Sequence, residues 1–385
     1  MNTRRYFLRH CMLGGSALAM GGMLAGCGGG GAETAAVAPL PPIHGGGGVQ
    51  QAGGWRMPDE AEAHKATWMA FGASSAVWTR AQVPQVQLAL ARIANAIAAH
   101  EPVNMLVRPS ELAGARQLLD ARVNLIAAEM DDLWMRDTGP VFVRQADGGR
   151  AGVQFNFNGW GNKQQSGKDG QVAGIVAAQA GVPLLATRLV LEGGALEVDG
   201  KGTAIITESC VLNPNRNPGW SKADCEAELL RLLGIRKVIW LPGIRDKDIT
   251  DAHTDFYARF VRPGVVAAHR EMDPASYDHA LTRRHLEILR GATDADQQPL
   301  QVVVIDGPSQ IRPGNNPHSF AAGYINYYAT SSAIFIPEFG DAQADASARA
   351  QYAQLYPGRA VIQINIDPIA AGGGGIHCTT QQEPA

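Results

Sequence analysis

From Trp55 onward, apolar positions follow two rhythms. Over residues 84–99, Val86, Leu90, Ile93 and Ile97 recur at helical spacing and Pro84 suits a first turn, which predicts an amphipathic helix. Short, nearly unbroken apolar runs behave differently. "VNMLV" (103–107), "RKVIWLP" (236–242), "QVVVID" (301–306) and "VIQINI" (361–366) read as buried strands. Pro109 and Ser110 start a second helix. The clearest helix is "SKADCEAELLRLLG" (221–234), where Ser221 with Asp224 matches a capping box and Gly234 a C-terminal stop. Strands alternating with helices predict an α/β fold.

The first residues follow neither rhythm. "TRRYFLRHCMLGGSALAMGGMLAGC" carries the pair Arg4 and Arg5, then an apolar, Gly/Ala-rich stretch over 11–26 that ends at Cys27. It resembles a twin-arginine export signal joined to a lipoprotein signal, with Cys27 lipidated and Cys11 removed. An ordinary secretory signal or a membrane anchor is the alternative, although the stretch is short of the roughly 20 residues a span needs. Residues 28–54 read as a flexible Gly/Pro-rich tether. Residues 55–385 read as one catalytic domain, since no second linker interrupts them. The expected location is the periplasm or the outer membrane, with membrane contact only through the lipid at Cys27.

Composition narrows the function by exclusion. The 385 residues are 45% apolar and 18% charged with a formal net charge of −3, and no long basic run disposes the chain to nucleic acid. Five irregularly spaced cysteines make neither a disulfide framework nor a paired CxxC zinc site.

Chemistry gathers in motifs where the chain turns at Gly or Pro: "DDLWMRDTGP", "LEGGALEV", "DAHTDFYARF" and "GGGGIHC". Asp137, Glu192, His253, Asn326 and Cys378 are spaced by 55, 61, 73 and 52 residues, each beside a strand-like stretch. Repeated strand-and-helix units, each giving one side chain to a common centre, would have this spacing. Asp255, two residues beyond His253, shares its face in an extended chain. Cys378 on a glycine turn offers a nucleophile that substrate can approach closely. Carboxylates around a thiol raise its pKa and blunt it, unless the substrate is itself a cation. A guanidinium is such a cation, and its forked donors match carboxylates.

At these residues the chain resembles a known family. "MPDEAEAHKATWMAF", "WMRDTGP", "LEGG", "LNPNRNP", "VIWLPG", "AHTD", "PEFGD", "YPGR" and "GGGIHCTTQQ" occur in the order found in agmatine deiminases and the related bacterial peptidylarginine deiminases, across about Trp55 to Glu383. The resemblance implies a five-bladed, pseudo-symmetric α/β propeller of the pentein type. It implies that Cys378 attacks the guanidinium carbon and that His253 protonates the departing ammonia, then activates water. Asp137 and Asp255 would bind guanidinium nitrogens, Glu192 would stand near His253 and the substrate, and Trp134 would wall the pocket. Neither metal nor organic cofactor is implied. Many relatives are oligomeric, so a homo-oligomer is an open expectation.

Blander readings stand beside these. Asp137 could pair with Arg136, Glu192 could be a turn acid, His253 a core histidine and Trp134 a core residue. Cys225 shares a helical face with Leu229, Leu232 and Leu233 and reads as core. A Cys210–Cys225 disulfide is left open. Asn213, Arg216 and Asn217 read as a structural loop. The chain also departs from the family pattern at Ala252 and Phe256 around "AHTDF", at Ser331-Ser332-Ala333, at Gly375 where asparagine is common, and at Phe71-Gly72. These departures bear on the pocket beyond the guanidinium. Agmatine is the favoured substrate. Arginine in peptides is the second reading, with Arg144, Arg150 or Lys163 as cations for its carboxylate. A non-catalytic guanidine- or polyamine-binding lipoprotein is the third.

Overall fold

The computed structural model describes residues 54–316 and 319–385. Arg4, Arg5, Cys11, Cys27 and residues 28–53 of the expected tether lie outside the described residues.

Five small sheets, four of three strands and one of four, make up the fold. In four of them an antiparallel pair is followed by a helix and a third strand, parallel to the second. These are 141–144, 150–154 and 184–186; 196–198, 203–207 and 237–241; 258–262, 265–270 and 301–306; and 328–329, 333–338 and 360–365. A parallel pair needs a crossover, and the helices Val172–Ala180, Lys222–Leu233, His279–Gly291 and Ala342–Leu355 provide it. The fifth sheet is shared between the two ends of the domain. Thr380–Pro384 pairs antiparallel with His64–Ala70, which continues through helix Val83–Ala98 to the parallel strands Val103–Val107 and Val123–Ala127. The last strand therefore closes the ring. First strands of neighbouring units touch each other, 380–384 against 141–144 and 196–198 against 258–262, and so line the axis.

The local chemistry follows the sequence closely. Helix Val83–Ala98 starts on its proline and buries Val86, Leu90, Ile93 and Ile97. Ser221 and Asp224 form both bonds of the capping box, and Gly234 closes that helix at φ 70°. The Pro109–Glu111 turn runs into helix Leu112–Leu118. Each apolar run became a strand because helices cover one face of each sheet and neighbouring sheets the other. Cys225 packs with Leu229, Leu232 and Leu233 as expected. Cys210 joins the same core, and both thiols are free, so no disulfide links them.

Candidate active site

In every unit the candidate side chain sits just upstream of the first strand, where the chain turns into the axis. Asp137 lies on the short helix Met135–Thr138 before 141–144, and Glu192 precedes the turn Gly193–Ala195 before 196–198. His253 and Asp255 flank Thr254 ahead of 258–262, Asn326 precedes 328–329, and Cys378 sits in the turn His377–Thr379 before 380–384. All six are buried. The pseudo-symmetry of the ring gathers them.

Cys378 Sγ lies 3.2 Å from Asn326 Nδ2, which donates to it, and 3.6 Å from Asp255 Oδ2. The Cys378 amide donates in turn to Asn326 Oδ1 at 3.3 Å. Bare Gly375 permits this, because a Cβ there would fall 2.4 Å from Asn326 Oδ1. Burial, with Asp255 and Asp137 close by, pushes the Cys378 thiol well above its ordinary value.

His253 stands between two acids, with Nε2 3.3 Å from Glu192 Oε2 and Nδ1 3.8 Å from Asp137 Oδ1. Burial opposes charge on the ring, but Asp137, Cys210 and Glu192 outweigh it and raise His253 well above the usual histidine range. Glu192 is itself held by Arg216, whose Nε donates at 2.8 and 2.9 Å. Against burial, Arg216 and then His253 bring Glu192 down to about 2. The loop containing Asn213, Arg216 and Asn217 is therefore more than structural. Asn217 bonds the backbone at Val190 and Val211, while Arg216 clamps the site acid and pairs with Asp251 at 2.8 Å.

Asp137 does not pair with Arg136, which turns instead to Glu60 and Gln382. Its carboxylate accepts from Trp160 Nε1 at 2.9 Å and from the Gly194 amide at 3.0 Å. Gly194 explains the second glycine of "LEGG", since a Cβ there would lie 2.6 Å from His253 Nδ1 and 2.9 Å from Asp137 Oδ1. Asp255 accepts from His377 Nδ1 at 2.7 Å through Oδ2, and its buried Oδ1 has no hydrogen-bond partner among the described residues. A buried carboxylate oxygen left open is costly unless a ligand fills it. His253 is delivered by a left-handed turn, with φ 60° at Asp251 and 74° at Ala252. The Ala252 conformation costs about 1 kcal/mol. Thr207 and Ser209 hold that turn by hydrogen bonds to the carbonyls of Ala252 and Asp251.

A narrow pocket opens over Cys378, Asp137 and His253. Trp134, Trp160, Val77, Phe256 and the Gly372–Gly374 segment wall it. Trp134 is both wall and core. It stacks on Trp78 and donates to Asp132, and Gly374 packs so close that a Cβ would lie 2.1 Å from its ring. Gln164 also lines the cavity, its Nε2 held by Asp132 at 3.0 Å and its Oε1 without a partner among the described residues. Among the lining residues only His253 carries positive charge. Arg150 pairs with Glu383, Lys163 pairs with Asp251 at 2.7 Å, and neither these nor Arg144 line the cavity. Ligand atoms of Glu192, Cys210 and His253 lie within 4.8 Å of one another, but the Arg216 guanidinium covers both Glu192 oxygens and would repel a metal cation there.

Sequence reasoning missed Arg216, Trp160, Gln164 and His377 as members of this site. Asn326 was visible only through its spacing.

A ring of five ββαβ units with a thiol, an imidazole and three carboxylates at the head of its axis defines a guanidine-modifying enzyme of the pentein type. The chain belongs to the Porphyromonas-type peptidyl-arginine deiminase family, whose model matches residues 56–384. It is 36% identical over 358 residues to the agmatine deiminase of Pseudomonas aeruginosa, covering 87% of this chain and 97% of that one. It is 41% identical over 337 residues to a provisionally named agmatine deiminase of Streptomyces coelicolor, covering 86% of this chain and 99% of that one. The structure of Enterococcus faecalis agmatine deiminase superposes with a TM-score of 0.81 at 31% identity, covering 86% of this chain and 96% of that one. The protein is accordingly a hydrolase that deiminates guanidino groups, as the motifs led us to expect.

Proposed function

We propose that the protein hydrolyses agmatine to N-carbamoylputrescine and ammonia through a covalent intermediate on Cys378. The observation that carries the chemistry is the open Oδ1 of buried Asp255, beside a nucleophile whose other neighbours are committed. A guanidinium laid across Asp137 and Asp255 donates to both acids and brings its carbon over Sγ. Its positive charge offsets what burial and the two acids do to the thiol, so substrate binding favours loss of the thiol proton to solvent and formation of the thiolate.

The thiolate forms a C–S bond with the guanidinium carbon, and the charged His253 gives its proton to the leaving nitrogen. The C–N bond breaks and ammonia departs, leaving an S-alkylthiouronium. His253, now neutral, takes a proton from water, which attacks the same carbon. The C–S bond then breaks, returning the electron pair to sulfur, and the new hydroxyl gives up its proton to solvent as the ureido product leaves. Glu192, fixed by Arg216, keeps the imidazole oriented and charged for the first step.

Agmatine is favoured over arginine by the wall. The lining offers aromatic faces and the acceptor of Gln164 to the far end of the substrate, which suits an ammonium. Beyond His253, which serves the reacting group, it offers no cation for a carboxylate. Incubation with agmatine, free arginine and an arginine-terminated peptide, followed by assay of ureido product and ammonia, tests this. We expect agmatine turnover to exceed the others by at least about 100-fold, the cost of burying a carboxylate unpaired. Preferential turnover of the peptide would overturn the substrate assignment. Binding of agmatine without ammonia release would support the non-catalytic reading instead.

A further inference from the structure

Asp255 lies 3.6 Å from the sulfur through Oδ2, and burial disfavours its charge. Something must hold it ionised and aimed. The residue that does so immediately precedes the nucleophile. His377 Nδ1 lies 2.7 Å from Asp255 Oδ2, and on the other side of the ring Nε2 lies 2.8 Å from Glu60 Oε2.

Glu60 comes from the "MPDE" stretch at the start of the domain, and every oxygen it has is used. Oε2 also meets Arg136 Nη2 at 2.9 Å, while Oε1 meets Arg259 Nη2 at 2.9 Å and accepts from the Ala329 amide at 2.9 Å. Arg259 Nε continues to Glu197 Oε2 at 2.8 Å. The chain of contacts Asp255–His377–Glu60–Arg259–Glu197 is buried throughout and ties the site acid to two other units of the ring. Only a ring protonated on both nitrogens donates to Asp255 and Glu60 together. Burial, Arg136 and Arg259 oppose that second proton and the two acids favour it, so the ring yields it more readily than a free imidazole.

We propose that His377 is a positioning residue: held by Glu60 on one side, it fixes the orientation and charge of the Asp255 carboxylate that receives the substrate guanidinium. The proposal rests on the deiminase reading above for what Asp255 does. It does not require His377 to touch substrate.

Isosteric amides separate the two faces of the ring. In His377→Asn the side-chain nitrogen stands where Nδ1 stood and still donates to Asp255, whereas in His377→Gln it stands where Nε2 stood and reaches only Glu60. Agmatine kinetics on both, alongside thermal melting, are the test. For H377Q we expect kcat/KM to fall by about 100-fold with KM raised at least about tenfold, the loss of a hydrogen bond to a charged group. H377N should stay within about fivefold of wild type. Glu60→Gln, which weakens the far clamp, should raise KM by a smaller factor, and serves if H377Q does not fold. A fall in kcat at unchanged KM in both H377Q and E60Q, tracking lost folded protein, would overturn the proposal. Equal loss in H377N and H377Q would do the same.

If wild-type protein releases ammonia from none of the three guanidines, the deiminase reading fails and the positioning claim is read another way. The pH profile of Cys378 alkylation by iodoacetamide should then shift in H377Q and not in H377N, because Asp255 Oδ2 lies 3.6 Å from the sulfur. Coincident profiles in all three proteins would refute it.

Discussion

Single side chains here work by opposed charge. Cys378 is disfavoured as a thiolate by burial and two acids, His253 is favoured as an imidazolium, and Glu192 is held ionised by Arg216 and His253. These directions favour a thiol beside an imidazolium before substrate binds. The arrangement tolerates little added volume. A methyl at Gly194 would enter the space between His253, Asp137 and Asp255. We therefore expect Gly194→Ala to lower kcat/KM on agmatine by at least about 100-fold, as small displacements of reacting groups do. Melting temperature should fall modestly from the added volume, and an active Gly194→Ala enzyme would contradict the geometry assigned to the three side chains.

At the scale of elements, the ββαβ unit makes the ring possible: the helix covers the sheet's outer face and returns the chain for the parallel strand. Its stability is partly local. Ser221 caps helix Lys222–Leu233 in both directions from an exposed position, so Ser221→Ala should cost about 1 kcal/mol of unfolding free energy. Denaturant titration measures this, and kcat should not move, since the cap lies outside the site. This helix was legible residue by residue, as were the four strands named from their apolar runs. Candidate residues were legible for a related reason: each needs a turn into the axis, and glycine or proline marks it. Arg216, Gln164 and His377 were not, because nothing local distinguishes a loop arginine, a loop glutamine or a second histidine from structural ones. Their meaning comes from partners 24 to 122 residues away. Asn326 shows the boundary case, placed by spacing but given its contact only by the fold.

For the whole molecule, closure of the ring and delivery of the nucleophile are one event, because Cys378 enters the site two residues ahead of the strand that pairs with His64–Ala70. The same closure buries a chain of acids along the axis. Asp59 keeps one oxygen unpartnered among the described residues, and burial raises it to about 8 from 3.8. The unfolded chain ionises this group above 3.8 while the folded chain keeps the proton to about 8, so stability falls as pH rises between those values. Asp59→Asn should accordingly raise the melting temperature at pH near 8 and leave it nearly unchanged near pH 4. Scanning calorimetry at both pH values checks this, and an equal effect at each would remove Asp59 as the cause. The account as a whole turns on the covalent step. Its most direct test is to mix the enzyme with agmatine, quench in acid within one turnover and take the intact mass, then locate any adduct by peptide mapping. The prediction is a species heavier by agmatine less one ammonia, on the peptide carrying Cys378 and absent from Cys378→Ala. Steady turnover by Cys378→Ala, or an adduct on any other residue, would contradict it.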